Sequence, residues 1–274
     1  MIPDITHNLG SSCYNGTMSR LRHNLGQNLA AVRQRMADAC RVADRSVDSV
    51  QLIAVTKYAQ LEWIEGLIAL GQTQFGENRP QQLVERQSRW PQVQWHLIGH
   101  LQRNKVKSVV GPTSLIHSVD SWRLAERLSE EAVAWDRLPA CHSSAVDAPE
   151  KTTGWKPPPL PILCEVNVSG EASKDGFAVA DLRICWDQLA ALPGLELRGL
   201  MTMAPLSDDP EAARPVFASL RRLRDELQAR SPTSTALPDL SMGMSGDFEI
   251  AIQEGATLIR VGSRLFEGLE AAPT

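Results

Sequence analysis

Apolar residues recur along this chain with two different periods. From Arg20 to about Ala43, residues Leu21, Leu25, Leu29, Val32 and Met36 fall three and four apart, the spacing of one face of a long amphipathic helix. After it come short apolar runs at 51–56, 73–75, 94–98, 114–117, 161–168, 195–202, 239–241 and 257–261, each of strand length. Stretches of helical character lie between them at 61–70, 79–89, 121–136, 178–191, 209–230 and 246–254. Eight strands alternating with helices predict an α/β protein with a parallel sheet, and that number favours a closed (β/α)8 barrel over an open, doubly wound sheet. No Gly-x-Gly-x-x-Gly follows an early strand, which weakens the dinucleotide-fold alternative.

Two segments stand outside the alternation. Residues 1–19 are polar, rich in Gly, Ser and Asn, and without periodicity; they read as a disordered extension, and Met18 is a candidate for the true start. Residues 142–161, HSSAVDAPEKTTGWKPPPLP, carry Ser, Thr and Gly and close on a run of prolines, the composition of a flexible insertion. The barrel is therefore expected over 20–270, as one domain.

Composition narrows the partners. A net charge of −4 with 22% charged residues offers no polyanion-binding surface, so nucleic acid is not expected. No apolar run approaches the roughly 20 residues that span a bilayer, and the N-terminus lacks a secretory signal. The five cysteines are scattered, with no C-x-x-C pair, as in reduced cytosolic proteins; a cytoplasmic location without membrane or metal is the expectation.

Function in such a barrel sits on the loops after the C-terminal ends of the strands. The run LIAVT ends on Lys57, which on its own reads as a strand reaching water with its lysine stem on apolar neighbours. FGEN ends the second strand and supplies Asn78, a side chain that both donates and accepts. After the seventh and eighth strands, SMGMSGD and RVGSRLF each place glycine and serine at a turn leading into a helix: Ser245 with Gly246, and Gly262 with Ser263. Backbone N–H groups at a helix N-terminus beside a hydroxyl suit a phosphate, although simple helix capping uses the same residues. Arg260 lies between the two turns. Partial burial and a neighbouring Arg260 would favour the uncharged form of Lys57, the form that attacks an aldehyde. A phosphorylated aldehyde fits both halves. Pyridoxal 5′-phosphate (PLP) is one; the substrates of Schiff-base aldolases are others, and spacing alone does not choose.

Seven stretches, LIAVTK, FGEN, WHLIGHLQRNK, IHSVDS, VNVSGEASKDGF, GLMTMAP and LSMGMSGDFEIAIQEGATLIRVGSRLFEG, resemble in order the YggS/PROSC family of pyridoxal-phosphate homeostasis proteins, over roughly residues 20–268. The resemblance implies a single barrel of the alanine-racemase N-terminal type that binds PLP as an internal aldimine on Lys57. It also implies that Arg260 faces the pyridine nitrogen, that Ser245, Gly262 and Ser263 hold the phosphate, and that Met244 and Asn78 line the ring. The chain departs from the pattern at Leu97, where the family more often has Phe, at Arg79, where it has an aromatic residue, and at Ser263, where Thr is usual. His96 reads as structural, His100 and His117 show no metal-ligand spacing, and Glu165 and Glu171 are candidate general bases that nothing pairs with Lys57, so they stay unassigned.

Carrier and racemase then compete. Two-base proton transfer needs groups on both faces of the substrate carbon. Barrel racemases draw one from a second domain and partner subunit, whereas only LEAAPT follows the last barrel motif here, and Tyr14 and Tyr58 are the chain's two tyrosines. The expectation is a monomeric, non-enzymatic PLP protein of vitamin B6 and amino-acid homeostasis, a donor to PLP-dependent apo-enzymes; a PLP-dependent amino-acid racemase is the alternative.

Overall fold

In each strand, alternate side chains face opposite sides of the sheet, and in this chain both sides are buried. The computed structural model describes residues 10–136, 158–171, 174–231 and 235–269. Its strands are β1 (Gln51–Val55), β2 (Gln74–Glu77), β3 (Gln94–Leu97), β4 (Leu115–Val119), β5 (Leu160–Asn167), β6 (Phe177–Ala178), β7 (Leu195–Met201), β8 (Asp239–Ser241) and β9 (Leu258–Val261). All pairings are parallel; β1 joins β2 on one side and β9 on the other, and a β4–β5 pairing closes the ring. Eight strands thus form the barrel, and β6 is a short addition on the edge of β5.

Helices α1 (Gly10–Val42), α2 (Leu61–Ala69), α3 (Pro80–Arg89), α4 (Val106–Val109), α5 (Trp122–Asp136), α6 (Val179–Ala190), α7 (Arg214–Arg230) and α8 (Phe248–Gln253) surround it. The outward residues of the strands, among them Leu52, Phe75, Trp95, Ile116, Leu200 and Ile259, share one large core with the buried stripe of α1 at Leu25, Leu29, Val32 and Met36. The inward residues Ile53, Leu115, Leu163, Met201 and Leu258 form a separate apolar cluster in the lumen. By the same alternation Gln74, His96, His117, Glu165, Ser241 and Arg260 also point inward, so half of the lumen is polar.

The eight expected strands are present with ends moved by two residues or fewer. Differences lie at the ends of elements. Residues 10–19, expected to be part of a disordered extension, are instead the first turns of α1: once the stripe from Leu21 onward nucleates the helix, each added residue gains a hydrogen bond at little cost. Residues 1–9 lie outside the described residues, as do 142–157 of the expected insertion; Pro161, placed in that insertion, is already the second residue of β5 and pairs with Glu196. Too short to set a period, α4 and β6 escape a pattern-based reading.

Candidate functional site

Lys57 stands just beyond the end of β1, on the loop that leads into α2. That loop is fixed from behind. The Thr56 hydroxyl donates to Glu77 Oε1, and Arg86 Nη1 donates to the same carboxylate oxygen and, at 2.7 Å, to the Thr56 carbonyl. Arg86 Nη2 reaches the Ala59 carbonyl at 3.2 Å, while the Thr56 N–H donates to the Gly76 carbonyl at 3.0 Å. All members of this clamp are buried. Lys57 itself is exposed, so the expected partial burial is not found; its Nζ lies 5.2 Å from the centre of the Tyr58 ring.

Arg260 belongs to the neighbouring strand. Its register partner across the β1–β9 ladder is Ile53, which puts Lys57 four residues further toward the C-terminal mouth of the barrel. The two cations therefore lie on adjacent staves, one above the other, since closure of the barrel makes the first and last strands neighbours. The Arg260 guanidinium is buried. It donates from Nη1 to Ser241 Oγ at 2.6 Å and from Nη2 to the Thr202 carbonyl at 3.0 Å. Burial lowers its pKa to about 10, opposed by the charges of Glu165 and Asp247, and it stays a cation at neutral pH.

The two glycine-serine turns meet beside these residues. Ser245 Oγ accepts from the Gly262 N–H at 3.3 Å, and Arg264 Nε donates to the Ser245 carbonyl at 2.5 Å. The first N–H groups of the short 3-10 turn Ser263–Phe266 have no acceptor among the described residues, and neither do those of Ser245 and Gly246. Unpaired N–H groups with two hydroxyls at the end of a strand pair suit a phosphate. The helices behind them are short: α8 begins at Phe248, and Asp247 turns its carboxylate to the Met244 N–H at 2.6 Å. Local N–H groups and hydroxyls, not a long helix dipole, would hold an anion here. Gly243 lets the turn form. Its φ of +93° is costly for other residues, and a Cβ would lie 2.5 Å from the Ala251 side chain.

A cleft of about 650 Å³ opens between these loops. Lys57, Asn78, Met244, Ser245, Arg260, Gly262 and Ser263, the seven site residues expected from the sequence, all line it. Asn78 is held in place by the loop after β3, where a Cβ on Gly99 would fall 2.5 Å from the Asn78 carbonyl oxygen, so only glycine permits this packing. Arg79 is exposed and does not line the cleft. Sequence reasoning missed the aromatic wall of Trp63 and Phe266, whose rings stack with centroids 5.4 Å apart, and the rim of Tyr58, Pro205 and Leu206. Trp63 sits in the apolar stripe of α2, where nothing in the spacing separates a wall residue from a core residue.

Of the remaining candidates, His100 pairs with Asp120 at 3.0 Å on the rim, and Glu171 pairs with Lys174 at 3.0 Å. Glu165 lies in the polar half of the lumen, where burial, then Asp120, raise its pKa to about 7 against the opposing charge of Arg260. Among the described residues no group of three or more His, Cys, Asp or Glu is placed to hold a metal ion. No described helix is long and apolar enough to cross a membrane.

A parallel barrel with a lysine at the end of its first strand and an anion cradle on its last two defines a recognisable class. The model of the alanine racemase N-terminal domain family matches residues 27–269, and the chain belongs to that family, among its pyridoxal phosphate homeostasis proteins. It is 37% identical over 245 residues to the pyridoxal phosphate homeostasis protein of Aquifex aeolicus, covering 89% of this chain and 97% of that one. Among solved structures, PipY of Synechococcus elongatus with PLP bound is 35% identical, with a TM-score of 0.70 over 88% of this chain and 99% of PipY. Alanine racemase from Corynebacterium glutamicum shares the fold alone, at 14% identity and a TM-score of 0.64 over 93% of this chain and 64% of the racemase.

Proposed function

We propose that this chain binds PLP in the cleft at the barrel mouth, attaches it covalently through Lys57, and serves vitamin B6 and amino-acid homeostasis as a carrier and not as a catalyst. The observation that carries this reading is the convergence of an exposed amine, a buried cation and an anion cradle on one cleft. Bound there, the cofactor supplies an aldehyde for attachment and a ring that draws electrons from the attached carbon. Lys57 Nζ gives the nucleophile, free to move because the clamp fixes its backbone and leaves its side chain in solvent. Ser245, Gly262 and Ser263 grip the phosphate. Arg260 faces the ring nitrogen, and its fixed positive charge disfavours protonation there, which weakens the ring as an electron sink. Asn78 and Met244 flank the ring.

The surrounding acids support a carrier. Asp247 is engaged with the Met244 N–H, and Asp209 accepts from the Glu211 N–H at 3.0 Å. Tyr58 stands beside Lys57, whereas racemisation needs proton-transfer groups on both faces of the reacting carbon. The three described thiols, Cys40, Cys164 and Cys185, are free, in keeping with a reducing cytoplasm. We place the protein there as a monomer that passes cofactor to PLP-dependent apo-enzymes. Mixing the chain with PLP should give a visible absorption band that is lost in Lys57→Ala, and the loaded protein should leave the α-protons of added amino acids unexchanged over hours in D2O. Exchange at enzyme-like rates would establish the racemase reading instead.

A further inference from the structure

The polar half of the barrel lumen is one continuous hydrogen-bonded chain that starts at Arg260. Arg260 Nη1 lies 2.6 Å from Ser241 Oγ, which lies 2.7 Å from His117 Nδ1. His117 Nε2 is 2.9 Å from His96 Nδ1, and His96 Nε2 is 2.6 Å from Gln74 Oε1. Arg260, Ser241, His117 and His96 are all buried, with 4%, 0%, 0% and 3% of their surfaces exposed, so water does not complete these bonds.

The direction of every proton in the chain follows from its first member. A guanidinium only donates. Ser241 Oγ must therefore accept from Arg260, and its own proton has His117 Nδ1 as acceptor. A bare Nδ1 on neutral His117 puts the ring proton on Nε2, where it is donated to His96 Nδ1. His96 in turn carries its proton on Nε2 and donates it to the Gln74 side-chain oxygen. Running the chain backwards would make Ser241 accept twice and leave a buried hydroxyl proton without an acceptor, at the cost of an unmade hydrogen bond. Burial independently keeps both rings neutral, lowering His96 to about 4 and His117 well below its ordinary value.

We propose that Ser241, His117 and His96 are positioning residues for Arg260: a neutral, one-way chain that aims the guanidinium at the floor of the cleft and places a negative dipole end against it at each step. This rests on the reading of the cleft as a PLP site with Arg260 against the ring nitrogen. The chain holds one guanidinium nitrogen toward the lumen and so fixes the plane of the whole group. Its hydrogen-bond partners are neutral, and the carboxylates of Glu165 and Asp247 act on the guanidinium through their charge alone. Such chains polarise one another and strengthen toward their charged end.

Side-chain 15N NMR of the histidines in the full-length, cofactor-free protein tests the chain itself. At pH 7, His96 and His117 should each show a neutral ring with the proton on Nε2; a proton on Nδ1 of either ring, or a doubly protonated ring, overturns the proposal. The functional half is read from PLP affinity and from the absorption maximum of the bound cofactor. His117→Phe and Ser241→Ala should each weaken PLP binding about tenfold or more and shift the maximum. His117→Gln, whose amide can accept from Ser241 and donate to His96, should recover most of both. Unchanged affinity and spectrum in a folded His117→Phe protein overturn the proposal while leaving the PLP site intact. If His117→Phe does not fold, Ser241→Ala and His117→Gln give the same decision. Absence of Lys57-dependent binding in the wild-type chain would instead defeat the reading of the cleft, with the NMR result still judging the chain.

Discussion

Lys57 and Arg260 are cations on neighbouring strands of one barrel, and they are held in opposite ways. Around Lys57 the protein fixes the backbone and leaves the side chain in water. The carbonyls of Thr56 and Ala59 are gripped by Arg86, whose charge is met by Glu77 in the space between barrel and helices. Around Arg260 the side chain is fixed, from inside the lumen, by neutral partners only. The difference matches the two tasks proposed for them. An amine that must attack, carry and release an aldehyde needs freedom at its tip and a well-placed base. A guanidinium that only presents charge needs a fixed tip, and a carboxylate hydrogen-bonded to it would weaken what it presents.

The comparison is broken most severely at the clamp. Arg86→Met removes one partner of a buried ion pair and leaves the Glu77 carboxylate, whose Oε2 already has no partner among the described residues, without its counter-charge. Loss of about 3–5 kcal/mol is expected from urea denaturation. Glu77→Gln combined with Arg86→Met should recover part of it, because no buried charge is then left alone.

A second test separates the two sides of the lumen by pH. Glu165 binds its proton more tightly folded than unfolded, with its pKa raised from 4.5 to about 7, so its contribution is present below about pH 4.5 and is lost as pH rises through 7. His96, lowered from 6.5 to about 4, contributes the other way: its share is present above about pH 6.5 and lost as pH falls through 4. Glu165→Gln should therefore gain stability over wild type as pH rises from 4.5 to 8, on the order of 3 kcal/mol in all. Parallel stability–pH curves for the two proteins would show that Glu165 is not buried as described.

Smallest is the loss of one hydroxyl. Thr56→Val keeps the shape of the clamp but removes a donor to Glu77, and about 1 kcal/mol of stability should go with it. The mobility of the 56–60 loop should rise in the same variant, which 15N relaxation would detect.

Much of this was legible in the sequence, for identifiable reasons. Strand runs such as LIAVT and PILCEVNV are apolar on both faces, and their regular alternation with helical stretches leaves few folds other than a barrel. Lys57, Asn78, Ser245 and Ser263 were visible because they interrupt or end such runs where loops carry function. What stayed hidden is what depends on closure. Strands one and eight become neighbours only when the ring shuts, so the register that sets Lys57 four residues above Arg260 was not readable from the spacing. His96 and His117 are 21 residues apart, and only the inward register of β3 and β4 brings their rings within 2.9 Å. Arg86, in an amphipathic helix, looks in the sequence like any solvated arginine, and nothing in its spacing announces the carbonyls it holds.

The central claim is that Lys57 is the residue that carries the cofactor. Borohydride treatment of the PLP-loaded protein converts that linkage into a stable secondary amine, and peptide mass spectrometry then locates it. The account predicts one pyridoxyl-modified site, at Lys57, in near-stoichiometric yield, with none in Lys57→Ala. Label spread over Lys105, Lys107 and Lys174, or undiminished in Lys57→Ala, would contradict it.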